Sequence, residues 1–361
     1  MSTTERTAII LDVDTGIDDS LALLYAAASP GAEIVAVTCL SGNVEAADVA
    51  RNTRAVLELA GRTDIEVAVG RAVPLERPLE ITPETHGPQG IGYAELGEPS
   101  RAISRRYGPD LIVEEARRRP GELTLVTLGP LTNLALALRG EPALPGLLRR
   151  WICMGGAFRV PGNTTPASEW NVHCDPEAAA ACLSAWQAAV DADPATPRAL
   201  LLGLDVTEQA RILPADVVAL AARAGETGDL WLDEMAVPDP ARRASVTDPL
   251  VRFVADALRW YFEFHARYDG FYGAFIHDPL VVAAALDPGL IRTVSVSVEV
   301  DAAHGPADGQ TIADWRGLRG RIPNADVAVE VDAVAFLRRL VERVGGLAAA
   351  DTGGVRRSPP A

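Results

Sequence analysis

An acidic segment near the N-terminus carries the residues whose types and spacing point most directly to chemistry. It holds four carboxylates in eight residues, at Asp12, Asp14, Asp18 and Asp19. Carboxylates this close repel one another unless a cation or bound protons offset their charge. Oxygen ligands of this kind suit Ca²⁺ or Mg²⁺ better than zinc. The segment therefore predicts a site for a hard divalent cation.

Helix capping explains only part of this acidic segment. Asp18 and Asp19 begin a predicted helix, where the helix dipole favours negative charge, so one or both could serve as caps. Asp12 and Asp14 instead end an apolar strand, and their spacing of two places them on one side of it. A purely structural role therefore leaves two of the four carboxylates unexplained.

Two other ligand-binding interpretations fit the segment less well. An EF-hand loop starting at Asp12 needs Gly at its sixth position and Glu at its twelfth, which are Ile17 and Leu23 here. A phosphohydrolase of the haloacid dehalogenase type also has Asp-x-Asp after an apolar strand, with Gly-Thr where this chain has Thr15-Gly16. Such enzymes need a downstream basic residue, usually lysine. All 33 basic residues of this chain are arginines, which argues against that class and excludes any P-loop or Schiff-base lysine.

The elements that would position these carboxylates alternate between short apolar strands and helices. Strands are predicted at 8–13, 33–39, 66–69, 123–128, 151–154, 198–204, 292–300 and 327–331. Helices are predicted at 18–28, 44–60, 111–119, 131–138, 176–189, 248–266, 278–285 and 332–344. This alternation favours an α/β fold with a single doubly wound, mostly parallel sheet and a Rossmann-like core, covered by helices on both faces. Such sheets bind ligands at the carboxyl ends of their strands.

Composition and charge limit the organisation of the chain. We expect one domain over residues 1–346 and a frayed Gly/Ala/Pro-rich tail over 347–361, with the polar stretch 225–247 as a surface excursion or lid. No apolar run approaches the ~20 residues of a membrane span, and the first residues do not resemble a signal peptide. Four cysteines without metal-binding spacing suggest buried, reduced thiols in a cytoplasmic protein. The net charge of −16 argues against nucleic-acid binding.

The segment from Asp12 to Ala22, Asp-Val-Asp-Thr-Gly-Ile-Asp-Asp-Ser-Leu-Ala, resembles the N-terminal signature of the inosine–uridine nucleoside hydrolase family. The usual form is Asp-Thr-Asp-Pro-Gly-x-Asp-Asp-Ala, and the departures here spare every carboxylate. Further matches follow in family order at Ser41-Gly42-Asn43, Leu128-Gly129-Pro130-Leu131-Thr132-Asn133, Met154-Gly155-Gly156, Gly162-Asn163, Glu169-Trp170-Asn171, Asp175-Pro176-Glu177-Ala178 and His277-Asp278-Pro279. His86-Gly87 resembles the start of the family's His-Gly-x-Asp-Gly loop, but Pro88-Gln89 stands where the Asp is usual.

The resemblance implies a nucleoside hydrolase fold and a Ca²⁺-dependent enzyme that hydrolyses the N-glycosidic bond of ribonucleosides. The ligands of the ion would be Asp14, Asp19, Asp278 and the backbone carbonyl of Leu128. Asp14 would also take a proton from the attacking water, and His277 would protonate the departing base. The residues that would contact the nucleoside are Asp18, Asn43, His86, Asn163, Glu169, Trp170 and Asn171. Asp12 would contact these site residues and help to orient them without touching the nucleoside.

Several properties stay open at this stage. A ribonucleoside-binding protein that kept the fold and lost catalysis is one alternative, and the phosphohydrolase is a weaker one. The resemblance implies a small-molecule ribonucleoside as partner and a homodimer or homotetramer as assembly. It does not fix the base, because base contacts in this family come from variable loops. The altered loop after His86 also leaves the role of that residue open.

Overall fold

The strands and helices follow the predicted alternation. The computed structural model describes residues 6–234 and 239–352 of the 361-residue chain. Its strands are β1 (Thr7–Val13), β2 (Ala32–Cys39), β3 (Glu66–Val69), β4 (Leu123–Thr127), β5 (Arg150–Met154), β6 (Ala199–Leu202), β7 (Arg211–Ile212), β8 (Ala274–Phe275), β9 (Ile291–Val296), β10 (Val298–Val300), β11 (Thr311–Ala313) and β12 (Ala325–Val331). Its helices are α1 (Ile17–Ala27), α2 (Ala46–Leu59), α3 (Pro83–His86), α4 (Gly108–Arg118), α5 (Thr132–Gly140), α6 (Leu144–Leu147), α7 (Trp170–Cys174), α8 (Pro176–Ala192), α9 (Leu204–Thr207), α10 (Pro214–Arg223), α11 (Pro249–Tyr268), α12 (His277–Leu286) and α13 (Ala333–Thr352).

The central sheet has eight strands in the order β3-β2-β1-β4-β5-β6-β12-β9. All neighbouring strands are parallel except β12 and β9, which are antiparallel. The chain first builds outward from β1 to β2 and β3, and then returns to add β4 on the other side of β1. This reversal makes the carboxyl ends of β1 and β4 a switch point, where doubly wound sheets form a binding crevice. The structure confirms the predicted mostly parallel α/β sheet.

Apolar cores lie on both faces of this sheet, as its strand sequences require. Ile9 and Leu11 of β1 belong to one core, which also contains apolar residues of α1, α11, α12 and α13. Ile10 points to the opposite core, which is closed by α4, α5 and α8. A strand buried on both sides has no alternation of polar and apolar residues. Apart from its first residue, the rest of β1 is apolar, so the carboxylates of Asp12 and Asp14 at its end are not explained by burial in the sheet.

Two features differ from the sequence-based expectation. The predicted strand 292–300 is divided, because β9 pairs with β12 while β10 turns away to form a separate ribbon with β11. Helix α13 continues to Thr352, so the first residues of the expected tail are helical, with Ala348 fully buried in the core. The remainder of that tail lies outside the described residues. In the described part of the chain, no helix combines the length and apolarity needed to cross a membrane.

The polar stretch 225–247 is a surface excursion anchored at both ends. The backbone N–H of Ser245 donates to the carbonyl of Asp229 at 2.7 Å, and Leu230 and Val246 pack on the core. None of the described residues of this stretch lines the cavity discussed below. The sequence allows either an excursion or a lid, and the described residues of the stretch lie outside the lining of that cavity.

Candidate active site

A cavity of about 470 Å³ opens at the carboxyl ends of β1 and β4, at the switch point of the sheet. Of the predicted site residues, those that line it are Asp18, Asn43, His86, Leu128, Asn163, Glu169, Trp170, Asn171, His277 and Asp278. Asp12, Asp14 and Asp19 are fully buried and do not line it. The fold thus gathers residues from six separate segments of the chain around one space.

Three buried carboxylates form the closest acidic group. Carboxylate oxygens of Asp18, Asp19 and Asp278 all lie within 4.8 Å of one another. The resemblance implies Asp14 among the metal ligands and Asp18 among the sugar contacts, whereas Asp18 lies within this group and Asp14 lies outside it. Asp14 is nevertheless adjacent, since burial raises the pKa of Asp278 and the charges of Asp18, Asp19 and Asp14 raise it further.

The acidic group has a charge imbalance that a divalent cation would correct. Burial, with the adjacent charge of Asp19, raises the pKa of Asp18 to about 7, and burial raises the pKa of Asp19 to about 6. Burial also raises the pKa of Asp14 and Asp278 well above the usual range. Among the described ion pairs, none joins an arginine to any of these carboxylates. Buried carboxylates without a cationic partner are the ligand set that a hard cation requires.

Asp14 is held so that one carboxylate oxygen stays free. Its Oδ2 accepts a hydrogen bond from the backbone N–H of Asn43 at 2.9 Å, while its Oδ1 is buried and has no hydrogen-bond partner. The turns after β2 and β4 approach it closely: a Cβ at Gly42 would lie 2.1 Å from Oδ2, and one at Gly129 would lie 2.7 Å from Oδ1. The two glycines are therefore required by the close approach of backbone to carboxylate.

The turn into α1 positions Asp19. Its carboxylate accepts hydrogen bonds from the backbone N–H groups of Gly16 at 2.9 Å and Asp14 at 3.3 Å. A third donor is Nδ2 of Asn43, 3.3 Å from Oδ2. Backbone donors at a helix N-terminus stabilise negative charge. The turn that capping could explain therefore also fixes a buried carboxylate beside the cavity.

Asp12 lies behind the acidic group and is hydrogen-bonded to β2 and to the first turn of α5. Its Oδ1 accepts from Thr38 Oγ1 at 2.5 Å and from Asn133 Nδ2 at 2.8 Å. Burial raises its pKa to about 7, and its Oδ2 has no hydrogen-bond partner. Asn133 also accepts from the backbone N–H of Arg71 at 2.9 Å. Asn133 belongs to the turn motif that follows β4 and has no predicted role. It lies in the first turn of α5, and an Asn at the start of a helix that follows a strand of such a sheet indicates a contact at the switch point.

The segment from Asn163 to Asn171 forms the polar wall. Glu169 caps α7, because it accepts from the backbone N–H groups of Asn171 at 2.8 Å and Val172 at 3.1 Å, and it also accepts from that of Gly156 at 3.0 Å. Asn171 Nδ2 donates to the carbonyl oxygen of Leu128 at 2.7 Å. Leu128, whose carbonyl is the predicted backbone ligand of the ion, thus lies beside Asn171, a predicted contact of the sugar.

Three histidines line the same cavity, and each has a different partner. His86 Nδ1 accepts from the backbone N–H of Ile17 at 3.1 Å. His277 Nδ1 lies 2.8 Å from Thr207 Oγ1. Burial lowers the pKa of His86 and of His277 to about 3, so both rings are neutral.

The third histidine was not predicted from the sequence. His265 on α11 has Nδ1 2.7 Å from Asp269 Oδ2, and both residues line the cavity. Aromatic side chains surround this end, with Tyr261, Phe264 and Phe275 also in its lining. An aromatic residue or histidine recurs on α11 at helical spacing, which is a detectable pattern, although it indicates core packing as readily as a ligand wall.

The sequence matches the family model described as "Inosine-uridine preferring nucleoside hydrolase" over residues 9–338. The chain is 35% identical to a "Pyrimidine-specific ribonucleoside hydrolase RihA" of Salmonella paratyphi B over 337 residues, which cover 93% of this chain and 97% of the relative. The protein of the same name from Salmonella arizonae is 36% identical over the same shares of both chains.

Solved structures give the same result. A "Purine-Preferring Ribonucleoside Hydrolase from Gardnerella vaginalis" superimposes with a TM-score of 0.82 at 29% identity, covering 95% of this chain and 99% of that one. The plant nucleoside hydrolase PpNRh1 gives a TM-score of 0.78 at 30% identity, covering 94% and 99%. These relatives are named for different bases, pyrimidines for RihA and purines for the enzyme from Gardnerella vaginalis.

Proposed function

The chain belongs to the inosine-uridine preferring nucleoside hydrolase family and is a ribonucleoside hydrolase, and we propose that its reaction depends on a Ca²⁺ ion held at the buried acidic group. The reaction splits the N-glycosidic bond, giving ribose and the free base. The observation that supports the metal proposal most strongly is the group formed by Asp18, Asp19 and Asp278, which is fully buried and has no cationic side chain paired with it in the described structure.

The ligand set fits a hard cation. Asp19 and Asp278 would hold it with carboxylate oxygens, together with the carboxylate of Asp14 and the backbone carbonyl of Leu128. Asp18 is close enough to contribute to the same group or to bind a sugar hydroxyl beside it. When bound, the ion supplies positive charge that anchors sugar hydroxyls and lowers the pKa of water.

Asp14 is the proposed general base. The hydrogen bond from Asn43 N–H fixes the orientation of its carboxylate and leaves Oδ1 able to accept a proton from water. The close approach of Gly42 and Gly129 restricts the position of Asp14 further. A base held in this way loses little conformational entropy when it reaches the reactive geometry.

The polar wall is the proposed ribose site. Asp18, Asn43 and Asn171 would bind the 2′- and 3′-hydroxyls, and Asn163 with Glu169 would bind the 5′-hydroxyl. Both carboxylate oxygens of Glu169 already accept backbone N–H groups, so its position is fixed before a ligand enters. Trp170 lines the same wall. A ligand lacking a hydroxyl would leave such buried polar groups unpaired, which favours ribonucleosides over their deoxy forms.

His277 and His86 are the proposed contacts on the base side of the sugar. Because Nδ1 of His277 is next to the Thr207 hydroxyl, Nε2 remains for a contact with the base. The resemblance implies that His277 protonates the leaving base, but a neutral ring fits a hydrogen-bond donor to the base better than an acid. His86 accepts a backbone N–H at Nδ1, so its Nε2 carries the proton and also donates.

The test is a substrate panel combined with metal analysis. Purified protein is expected to release ribose from uridine or inosine, to release less from the 2′-deoxy forms, and to contain Ca²⁺ by elemental analysis. EDTA treatment should remove the ion and the activity, and added Ca²⁺ should restore both. Nucleoside binding without ribose release would instead support the non-catalytic alternative, and phosphate release from 4-nitrophenyl phosphate would support the phosphohydrolase. Full activity in metal-free protein would overturn the Ca²⁺ proposal.

Assembly and location form a second part of the proposal. The four cysteines, Cys39, Cys153, Cys174 and Cys182, are all buried and free, which supports a reducing cytoplasmic environment. We propose a homodimer or homotetramer by analogy with the family. Light scattering after size-exclusion chromatography would contradict this if it gave the mass of a single chain.

A further inference from the structure

The three histidines of the cavity differ in what they can do with a proton. His86 accepts a backbone N–H at Nδ1, so that nitrogen carries no proton. His277 lies beside the neutral hydroxyl of Thr207. In the described structure His265 alone among the three has a carboxylate within hydrogen-bond distance, at 2.7 Å from Asp269. A carboxylate at Nδ1 stabilises the protonated ring and fixes its orientation.

His265 is also unusual in its surroundings. The residue is 4% exposed, and its Nε2 is buried without a hydrogen-bond partner. Phe275 meets the ring edge-on at a centroid distance of 5.0 Å, Tyr261 lies at 4.7 Å, and Phe271 stacks at 5.5 Å. A buried nitrogen without a partner is destabilising, so its presence in the wall of a ligand cavity indicates that a bound molecule completes its hydrogen bonding.

The aromatic wall suits the flat part of a nucleoside. Tyr261, Phe264 and Phe275 line the same end of the cavity as His265, and planar bases pack well against such side chains. In the function proposed above, the acidic group binds the metal ion and the polar wall binds the sugar. A ribonucleoside bound there would place its base toward the remaining, aromatic end.

We propose that His265, oriented by Asp269, is the residue that gives the departing nucleobase its proton. This inference rests on the proposed function, and it assigns leaving-group activation to a pair that neither the motifs nor the comparisons identify. The ring contacts the base through Nε2. Asp269 does not contact the base and acts as a positioning residue.

The proton balance of the step is simple. The bond between C1′ and the base nitrogen breaks, and its electron pair goes to the base. The Nε2 proton of the imidazolium passes to a nitrogen or oxygen of the base, leaving His265 neutral. Water forms the new bond to C1′ and gives its proton to Asp14. The proton on Asp14 is lost to solvent, and Nε2 of His265 is reprotonated by water that enters the cavity after the products leave.

The test compares substrates whose leaving groups need a proton with one whose leaving group does not. His265→Gln and Asp269→Asn should each lower kcat for uridine and inosine, by about 10²–10³-fold for His265→Gln. Hydrolysis of 4-nitrophenyl β-D-riboside, which releases a stable phenolate, should change less than about threefold in the same variants. Because both residues act in one step, the double variant should be about as impaired as His265→Gln alone.

A matched control is available outside the cavity. His304 is exposed, lies 3.7 Å from Glu177, and does not line the cavity, so His304→Asn should leave every rate unchanged. Equal losses on nucleosides and on the nitrophenyl riboside would assign His265 a structural role and overturn the proposal. Unchanged rates on all substrates would overturn it as well. Absence of ribose release from any substrate by the unaltered protein would contradict the proposed function itself.

Discussion

The two ends of the cavity are held by different kinds of structure. The acidic end is fixed by main chain, since backbone N–H groups of Gly16 and Asn43 bind the carboxylates of Asp19 and Asp14 at strand ends. The aromatic end, which contains His265, is fixed by side chains. Ring contacts and the pair formed with Asp269 position His265 on α11. Main-chain contacts at strand ends resist substitution, whereas side chains on a helix face can be exchanged without moving the backbone.

This contrast explains how one fold can keep a reaction and change its substrate. The relatives share the fold, yet one is named for pyrimidines and another for purines. We expect the acidic end to be common to such enzymes because the sugar is common, and the aromatic end to vary with the base. The predictions below test whether the two ends are separable in this way.

The largest effect is expected from Asp14→Asn. This change removes both a metal oxygen with full charge and the proposed base, so kcat/KM for uridine and inosine should fall by about 10⁴-fold, the upper range for an acid–base group. Steady-state kinetics checks the loss, and thermal unfolding checks that the variant folds. Asp64→Asn, which alters an exposed ion pair with Arg62, is the control. A loss below about tenfold would remove Asp14 from the mechanism.

The next effect concerns pH and the metal-free protein. Burial raises the pKa of Asp18 to about 7 and that of Asp19 to about 6, above their values in the unfolded chain. A group with a raised folded-state pKa stabilises the fold at low pH, and that contribution is lost as pH rises through the folded pKa. The Tm of EDTA-treated protein should therefore fall by about 5 °C or more between pH of about 5 and about 8.

Added Ca²⁺ should abolish that fall, because the ion offsets the charge that develops on the carboxylates. His265→Gln should not alter this response if the two ends are separable. The same pH dependence with and without Ca²⁺ would mean that the ion does not bind the acidic group.

A smaller effect on stability is expected from Asn133→Ala. The change leaves the carboxylate of Asp12 with one donor fewer and the backbone N–H of Arg71 without its acceptor, which should cost about 1–3 kcal/mol in the free energy of unfolding. Urea denaturation measures this, and kcat should change less than about tenfold, since Asn133 does not line the cavity. Gln209→Ala, at an exposed turn position, should be near neutral. Equal stability of both variants would show that Asp12 needs no such support.

The smallest effect is expected from Phe275→Leu at the aromatic end. Loss of the edge-on contact with His265 reshapes the wall, and the ratio of kcat/KM for uridine to that for inosine should shift by up to about tenfold. The affinity for Ca²⁺, measured by calorimetry, should stay the same. Tyr107→Leu, at an exposed position, is the control. A change in Ca²⁺ affinity would show that the two ends are coupled.

The difference between the ends also governs what could be predicted from the sequence. Asp12, Asp14, Asp18 and Asp19 are close in the chain, so their spacing alone indicated a cation site. The spacing could not tell which of them converge, because that depends on the turn at Gly16 and on the approach of α12. Asp278 came from the family resemblance and not from any local pattern.

The aromatic end was not predicted, because its residues resemble ordinary helix composition. A His and an Asp four positions apart, such as His265 and Asp269, occur commonly as surface pairs on helices. Strand order was likewise only partly predictable: alternation indicated a parallel sheet, but β12 pairs with β6, which is distant in the chain, and no local pattern specifies that partner. Tertiary contacts over long separations decide both features.

The position of Asp278 on α12 has a consequence for how the chain is made. Asp14, Asp18 and Asp19 leave the ribosome among the first residues, whereas Asp278 is synthesised only after most of the chain. For most of translation the acidic turn lacks a carboxylate that its ion would need, and the helix that brings it has yet to dock on α1. Metal uptake should therefore be a late event in biogenesis, and nascent chains ending before α12 should bind Ca²⁺ far more weakly than the finished protein.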